Sequence, residues 1–373
     1  MSYNIKVEDF IDVKFNNSPY DLNDMVHICK RHNNTKREYL FVNKYQAKHF
    51  PVNAKSALRL FDCLYEEICK RYTNERILIV GFAETATAIA QRITHNSIKD
   101  KRINVVYHLQ TTRENVKNNK QYTVIDFSEQ HSHATQQKIY YAKDVPEYDL
   151  VLFIEDEITT GNTILNFIDE FKKINRNAKY AVASILNWQD ETAERTYRYY
   201  NIDCICLVKG RIKSELPRIC VSEEMVEEYS PLSKYVQTFG YEKNPRTGLS
   251  ASEFQEYISN RMDNININAE AKDISVLGTE EDMYIAILVA DKIGDKATVR
   301  ATTRSPISTC GENGYLLFNG ISLPSAYETQ RKTFLYNIDK NKKNIVVVSD
   351  SQCFGEFVEF LSGYFRNSFI EYI

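Results

Sequence analysis

The reading of the fold turns on VLFIEDEITTGNTILNFIDEF, residues 151–171. Four apolar residues, 151–154, run into two adjacent carboxylates, Glu155 and Asp156, and then into the turn Thr159, Thr160, Gly161, Asn162, Thr163, after which a helical pattern opens at Ile164. A short apolar run bounded by turn residues reads as a strand buried on both faces, as in a parallel sheet covered by helices. Open sheets of that kind bind ligands in the crevice outside the carboxyl ends of their strands, so topology delivers Glu155 and Asp156 to a crevice. The turn gathers backbone N–H groups and hydroxyls at the positive end of a helix, which makes a phosphate cradle. A phosphate cup one turn from two acids suits a phosphorylated sugar, with the acids gripping vicinal hydroxyls or magnesium bound to them. The alternative is a core strand capped by an ordinary turn, which requires strand, acid pair, hydroxyls and glycine to coincide by chance.

The pattern around this stretch repeats the strand-then-helix alternation of an α/β fold with a mostly parallel sheet. Residues 57–71 form an amphipathic helix, 77–82 (ILIVGF) a fully apolar strand with a helix directly after it, and 103–109 the next strand. A polar run, TTRENVKNNKQYT (111–123), has no apolar periodicity and reads as a long loop or lid. Strands follow at 180–186 and 205–212. The pattern weakens after residue 221, and Pro231, Pro245 and Gly248 mark a join near 248–264. Two domains are therefore expected, 1–250 and a smaller α/β unit at 265–373. The second contains strands at 273–278, 297–303, 315–320, 333–338 and 344–350, with helices after Gly278 and Asp350.

Composition narrows the function. Forty-seven Lys and Arg against 50 Asp and Glu give a net charge of −3, which argues against a protein that coats nucleic acid. The N-terminus has no basic segment followed by an apolar run, and no segment reaches bilayer length, so a cytoplasmic location is expected. Eight cysteines lack paired C-x-x-C spacing and fit reduced core thiols.

A second anion-ready helix start follows the strand at 77–82, where Gly81, Phe82, Ala83, Glu84 and Thr85 precede a helix. It has one glycine and no Lys or Arg, so its donors would be backbone groups and Thr85 or Thr87; a plain turn capped by Thr85 is the other account. The polar run carries Arg113, and His131 and His133 follow it in EQHSHAT. A cationic loop closing over a leaving anion would offset developing charge and exclude water. His131 and His133 could pair on a metal, but no third ligand stands at suitable spacing.

VLFIEDEITTGNT resembles the motif of type I phosphoribosyltransferases that binds phosphoribosylpyrophosphate (PRPP). More narrowly, NKYQAKHFPV (43–52), GFAETATA, TTRE with EQHSHAT, VLGTEEDMY and TTRSPI (302–307) resemble, in the same order, the phosphoribosyltransferases of tellurite-resistance gene clusters, which carry a C-terminal TRSP domain. The resemblance implies that Glu155 and Asp156 hold the ribose hydroxyls, residues 159–163 hold the 5′-phosphate, and the loop at Gly81 to Thr85 binds pyrophosphate. Where that group shows Gly-Lys-His-x-Pro this chain has Ala47, Lys48, His49, Phe50, Pro51, leaving Lys48 and His49 to touch pyrophosphate or acceptor. It further implies Mg2+ held mainly through PRPP, a nitrogenous acceptor and a homodimer. Arg304 fits an anion contact or a structural role equally. In VLGTEEDMY, Thr279 and Asp282 have the spacing of a capping box. Trp188 is placed to stack on an acceptor ring, although a lone tryptophan is more often core. Two functions follow, phosphoribosyl transfer and non-catalytic PRPP sensing. Arg113, His131 and His133 favour the enzyme, because a sensor has no need of them over the reacting carbon.

Overall fold

The computed structural model describes residues 5–32, 38–117, 122–128, 136–175, 177–216, 219, 238–239, 243–263, 265, 272–312, 314–351 and 355–373. Its larger sheet has seven strands in the order Ile11–Asn16, Ile202–Ile212, Lys179–Asn187, Leu150–Ile158, Arg76–Gly81, Asn104–Gln110 and Leu249–Ser250. The five inner strands are parallel and the two edge strands antiparallel. Leu150–Ile158 lies at the centre, so Val151, Leu152, Phe153 and Ile154 are fully buried, as a strand covered on both faces requires. The helix after it, Asn162–Ile174, buries Ile164, Phe167, Ile168 and Phe171 on one stripe, and Phe153 meets Phe167 edge-on at 5.6 Å. Gly81 ends the neighbouring strand because helix Ala86–Asp100 crosses it closely; a Cβ there would lie 2.6 Å from that of Ala90.

The smaller sheet is wholly parallel, in the order Ala297–Ala301, Ile274–Gly278, Asn344–Val348, Phe369–Tyr372. Its helix Met283–Ile293 packs on Ala54–Cys69, Ala86–Asp100 and Ala251–Asp263, so one apolar core runs through both units. Backbone joins them too. Val52 and Val299 exchange N–H to carbonyl bonds of 3.0 and 2.8 Å, and Ala301 N donates to Lys48 O at 3.2 Å. The segment carrying Lys48 and His49 thereby runs along the edge of the smaller sheet. Ala47, just before it, adopts a left-handed φ of +56°, a conformation that favours glycine and so accounts for the glycine at this place in the resembling group.

Several expectations need correction. The helix expected at 57–71 begins at Ala54, because the Asn53 side chain accepts from Lys55 N at 2.9 Å and caps it. The described residues of the run from Thr111 are no open loop. Thr111, Thr112 and Glu114 are buried, Asn115–Val116 pairs with Thr238–Phe239, and Tyr122–Ser128 forms a hairpin with Gln136–Ala142. Residues 315–319 are not a strand, since the strand lies at Gly320–Pro324 in a hairpin with Lys332–Tyr336. The hairpin Val26–Lys30 with Tyr39–Asn43, the edge strand Ile11–Asn16 and the last strand, Phe369–Tyr372, carried too weak a pattern to be read, and the expected join at 248–264 holds the helix Ala251–Asp263.

His108 in the strand Asn104–Gln110 is fully buried against Phe254, with Nδ1 2.8 Å from Thr94 Oγ1, and burial holds its pKa down to about 3. A histidine neutral when folded but free to protonate when unfolded contributes stability above about pH 6.5, and this is lost as pH falls toward 3. His108→Asn should therefore flatten the acid side of the stability profile by roughly 1.4 kcal/mol per pH unit below pH 6. Urea unfolding of both proteins at pH 7, 6 and 5 measures this; parallel profiles would refute it.

Candidate active site

The carboxyl ends of both sheets open on one cleft. Its floor is Glu155, Asp156, Glu157, Ile158, Thr159, Thr160, Gly161, Thr163 and Ile164; Ala83, Glu84, Thr85 and Arg113 form one wall. The opposite side comes from Arg31, Leu40, Phe41 and His49, and from Thr303, Arg304, Ser305 and Pro306 of the smaller unit. Glu155 and Asp156 are half-buried at the strand end, where Asp156 N donates to Glu155 Oε1 at 3.0 Å. Gly161, with φ +76°, stands at the N-cap of helix Asn162–Ile174 and has no side chain to cap it; Asn162 N makes a long bond of 3.4 Å to Thr160 Oγ1. The N–H groups of Thr163 and Ile164 that follow are left to a ligand or water.

Gly161 is constrained from behind as well as by its φ. Tyr197 Oη donates to Gly161 O at 3.0 Å, and an added Cβ would fall against the Tyr197 hydroxyl and within 2.8 Å of Gln189 Nε2. A side chain at Gly161 would thus strike the packing beneath the loop, a more local failure than blocked approach to phosphate.

The loop at 82–85 is tied to its neighbours by hydrogen bonds. Ala83 N donates to Thr111 Oγ1 at 2.7 Å, Gln137 Nε2 donates to Ala83 O at 3.0 Å, and the Ala83–Glu84 peptide is cis. Thr87, expected as a donor, is fully buried and bonds Glu84 O and Glu281 O. Thr85 stands at the helix N-cap but makes no capping bond, so its side chain is left facing the cleft.

The Glu84 carboxylate is buried and paired. Lys48 Nζ contacts one oxygen; Arg113 Nη1 lies 3.6 Å from the other, which also accepts from Arg304 N at 3.3 Å. Lys48, itself fully buried, donates to Glu280 O at 2.7 Å, and burial lowers its pKa despite Glu84. Arg304 bonds Glu280 at 2.6 Å and also Glu114, and Arg331 spans the same two acids at 2.7 Å to Glu114 and 3.2 Å to Glu280. Burial alone would raise the Glu280 pKa, but Arg304 and Arg331 hold it at about 2. Glu281 accepts from Thr112 Oγ1 at 2.7 Å, Arg113 N at 2.9 Å and Arg246 Nε at 2.9 Å. The acids of VLGTEEDMY thus serve the junction of the two units rather than a capping box: Thr279 Oγ1 is engaged with Tyr327 and Ser349, and Asp282 makes no capping bond to the helix it precedes.

The sequence-derived residues divide accordingly. Glu155, Asp156, Thr159, Thr160, Gly161, Thr163, Ala83, Glu84, Thr85, His49, Arg113 and Arg304 share the cleft. Gly81 and Phe82 lie beneath it in the core, and Lys48 stands behind Glu84. Asn162 faces a neighbouring groove. Trp188 is buried against Phe41 at 5.4 Å and does not line the cleft, so the core account describes it. Arg113 occupies the expected cleft but on a fixed wall, not a closing lid, because Glu281 ties down its backbone. His131 and His133 lie outside the described residues. Arg31, Leu40 and Phe41 went unread because a short amphipathic hairpin far away in sequence carries no chemical motif. Thr303, Ser305 and Pro306 did leave a signal, in TTRSPI.

The mostly parallel seven-stranded sheet and the family match together make the chain a phosphoribosyltransferase. More particularly, the chain belongs to the family described as phosphoribosyl transferase (PRTase_2), matched over residues 25–211, and continues into the TRSP domain C-terminal to it, matched over 239–362. Comparison with curated proteins gives no match. Among solved structures, adenine phosphoribosyl transferase of Trypanosoma brucei, in complex with AMP, pyrophosphate and ribose-5-phosphate, is 16% identical with TM-score 0.31, over 40% of this chain and 64% of that one. The Saccharomyces cerevisiae adenine enzyme is 10% identical with TM-score 0.33, over 49% and 94%. Orotate phosphoribosyltransferase of Francisella tularensis is 15% identical with TM-score 0.32, over 50% and 78%. At these scores the assignment rests on the family match.

Arg304→Ala leaves two buried acids sharing Arg331 alone, which should cost on the order of 3 kcal/mol in unfolding free energy. Pairing Arg304→Met with Glu114→Gln should recover a large part of that loss. Equal destabilisation by the single and double variants in urea melts would show that the network does not hold the units together.

Proposed function

We propose that the protein transfers the phosphoribosyl group of PRPP to a nitrogenous, base-like acceptor with release of pyrophosphate, in the biosynthesis of a nucleoside-like metabolite. The observation that carries this is the convergence, in one cleft, of the Glu155–Asp156 pair, the helix start at Gly161 and the loop at 83–85. The acids grip the ribose 2′- and 3′-hydroxyls. N–H groups and hydroxyls of residues 159–163 receive the 5′-phosphate. Pyrophosphate lies on the loop at 83–85, whose one acid, Glu84, is neutralised by Lys48 and Arg113, so that backbone donors and Thr85 dominate the field there. Leu40 and Phe41 offer the acceptor an apolar surface.

Among the described residues, no group of three or more His, Cys, Asp or Glu could hold a metal ion. Two half-buried carboxylates do fit Mg2+ held mainly by substrate oxygens and water, with Asp156 and Glu155 touching through them. Bound there, the ion would neutralise charge on the leaving pyrophosphate. Arg113, fixed before substrate arrives, meets the same charge at no cost of reorganisation. A homodimer, a cytoplasmic location and a link to tellurite resistance complete the proposal; no helix among the described residues is long and apolar enough to cross a membrane.

Asp156→Asn should weaken PRPP binding in Mg2+ roughly 10- to 100-fold, as expected for a lost charge-assisted hydrogen bond. Unchanged affinity by calorimetry would remove Asp156 from the ribose site. Arg113→Ala should leave PRPP affinity within a few-fold while pyrophosphate release falls on the order of 100-fold. Binding of PRPP without turnover by the unaltered protein would instead indicate a sensor.

A further inference from the structure

His49 presents unused hydrogen-bonding capacity to the cleft. Its residue is 8% exposed, it lines the cleft, and neither Nδ1 nor Nε2 has a hydrogen-bond partner among the described residues. Buried polar atoms are nearly always satisfied, and a buried ring with both nitrogens unpartnered at the edge of a ligand cleft calls for a ligand. Burial, reinforced by the charge of Lys48, keeps its pKa at about 3, so at neutral pH the ring is uncharged and offers one N–H and one lone pair.

The neighbours of His49 show which end of the substrate pair it serves. Its ring lies 6.3 Å from that of Tyr336, whose hydroxyl donates to Ser305 O at 2.8 Å and accepts from Ile307 N at 2.7 Å. Pro306 O in turn accepts from His32 N at 3.1 Å, tying this strip to the hairpin that supplies Leu40 and Phe41. His49 thus belongs to the wall made of the hairpin and the 303–306 strip, which meets the 83–85 loop through Arg304 N and Glu84 but carries the apolar Leu40 and Phe41 on its other side. A phosphate offers only acceptors, so it would take the imidazole N–H and leave the lone pair unpaired. A flat nitrogen heterocycle with a ring N–H matches the imidazole lone pair and rests on the apolar surface of Leu40 and Phe41.

We infer that His49 is a catalytic residue that binds a nitrogen-heterocyclic acceptor and takes up its ring N–H proton during transfer. The inference rests on the phosphoribosyl-transfer reading above. A ring nitrogen gives its lone pair to C1′ of PRPP, the C1′–O bond to pyrophosphate breaks, and the electron pair leaves on the pyrophosphate. The heterocycle becomes cationic as the new bond forms, so its N–H acidifies, and the proton passes to the imidazole lone pair. The imidazolium is disfavoured by burial beside Lys48 and returns the proton to solvent when product leaves. A weak base suffices because the proton it accepts is strongly acidic only at that stage.

The test uses the full chain with Mg2+, PRPP and, as probes, adenine, hypoxanthine, uracil and benzimidazole, comparing wild type, His49→Gln and His49→Ala. Glutamine keeps a neutral donor and acceptor but cannot take the proton. Expected for His49→Gln are an unfolding midpoint and PRPP affinity like those of wild type, an acceptor KM within a few-fold, and kcat lower by about 100-fold or more. His49→Ala should raise the acceptor KM as well. Full kcat in His49→Gln overturns the role while leaving the transfer reading intact. Loss of PRPP affinity in either folded variant places His49 against PRPP and overturns it too. Absence of pyrophosphate release by wild type with all four heterocycles overturns the transfer reading, and the role of His49 with it.

Discussion

The structure depends on a buried lattice of charge in which Lys48 holds Glu84, and Arg304 and Arg331 hold Glu280 and Glu114. Burying ions is costly, and a hydrophobic contact of the same volume often stabilises as well or better. What such a lattice supplies is geometry, since a pair of guanidinium forks bridging two acids has few satisfactory arrangements. Glu114 comes from the larger unit, while Glu280, Arg304 and Arg331 come from the smaller. Sliding one unit against the other would strand a carboxylate in the interior.

That constraint aims the two sheets at each other. Each parallel sheet has its own crevice at the carboxyl ends of its strands, the place where such folds bind ligands. In the smaller unit the residues at those ends are Thr279 to Asp282, Thr302, Thr303 and Asp350, and three of them, Glu281, Asp282 and Asp350, are engaged by Thr112, Arg113, Arg246 and Arg261 of the preceding chain. Its crevice therefore clasps the loops of the larger sheet, and the Thr303 to Pro306 strip becomes part of the cleft wall. The smaller unit completes a site whose chemistry begins on the larger one.

Legibility in the sequence followed locality. The strand at 150–158, the acid pair and the turn at 159–163 were readable because pattern, chemistry and turn lie within fifteen residues of one another. The second strand and its loop were readable for the same reason. The meaning of Lys48, Glu114, Glu280 and Glu281 was not, because each is defined by a partner far along the chain, and an isolated Thr-Glu-Glu-Asp looks the same whether it caps a helix or joins two units. Arg113 shows both sides. Its place in the cleft was legible from its charge and position, but its fixity was not, since Glu281, 168 residues away, holds its backbone.

Fixity changes how the cleft would work. A cation on a closing lid gives up part of its interaction energy to ordering the lid, whereas one already held in place gives up none when charge develops. Glu84 makes the same point from the other side. An acid in a loop meant for pyrophosphate would repel it, yet with Lys48 behind it and Arg113 beside it the carboxylate acts as an anchor that orients a guanidinium toward the cleft. Because these charges are already balanced against one another, the resting cleft gives bound substrate little extra attraction. Under the proposed transfer, the imbalance would appear when the leaving group gains charge, and it is there that a fixed Arg113 would act most strongly.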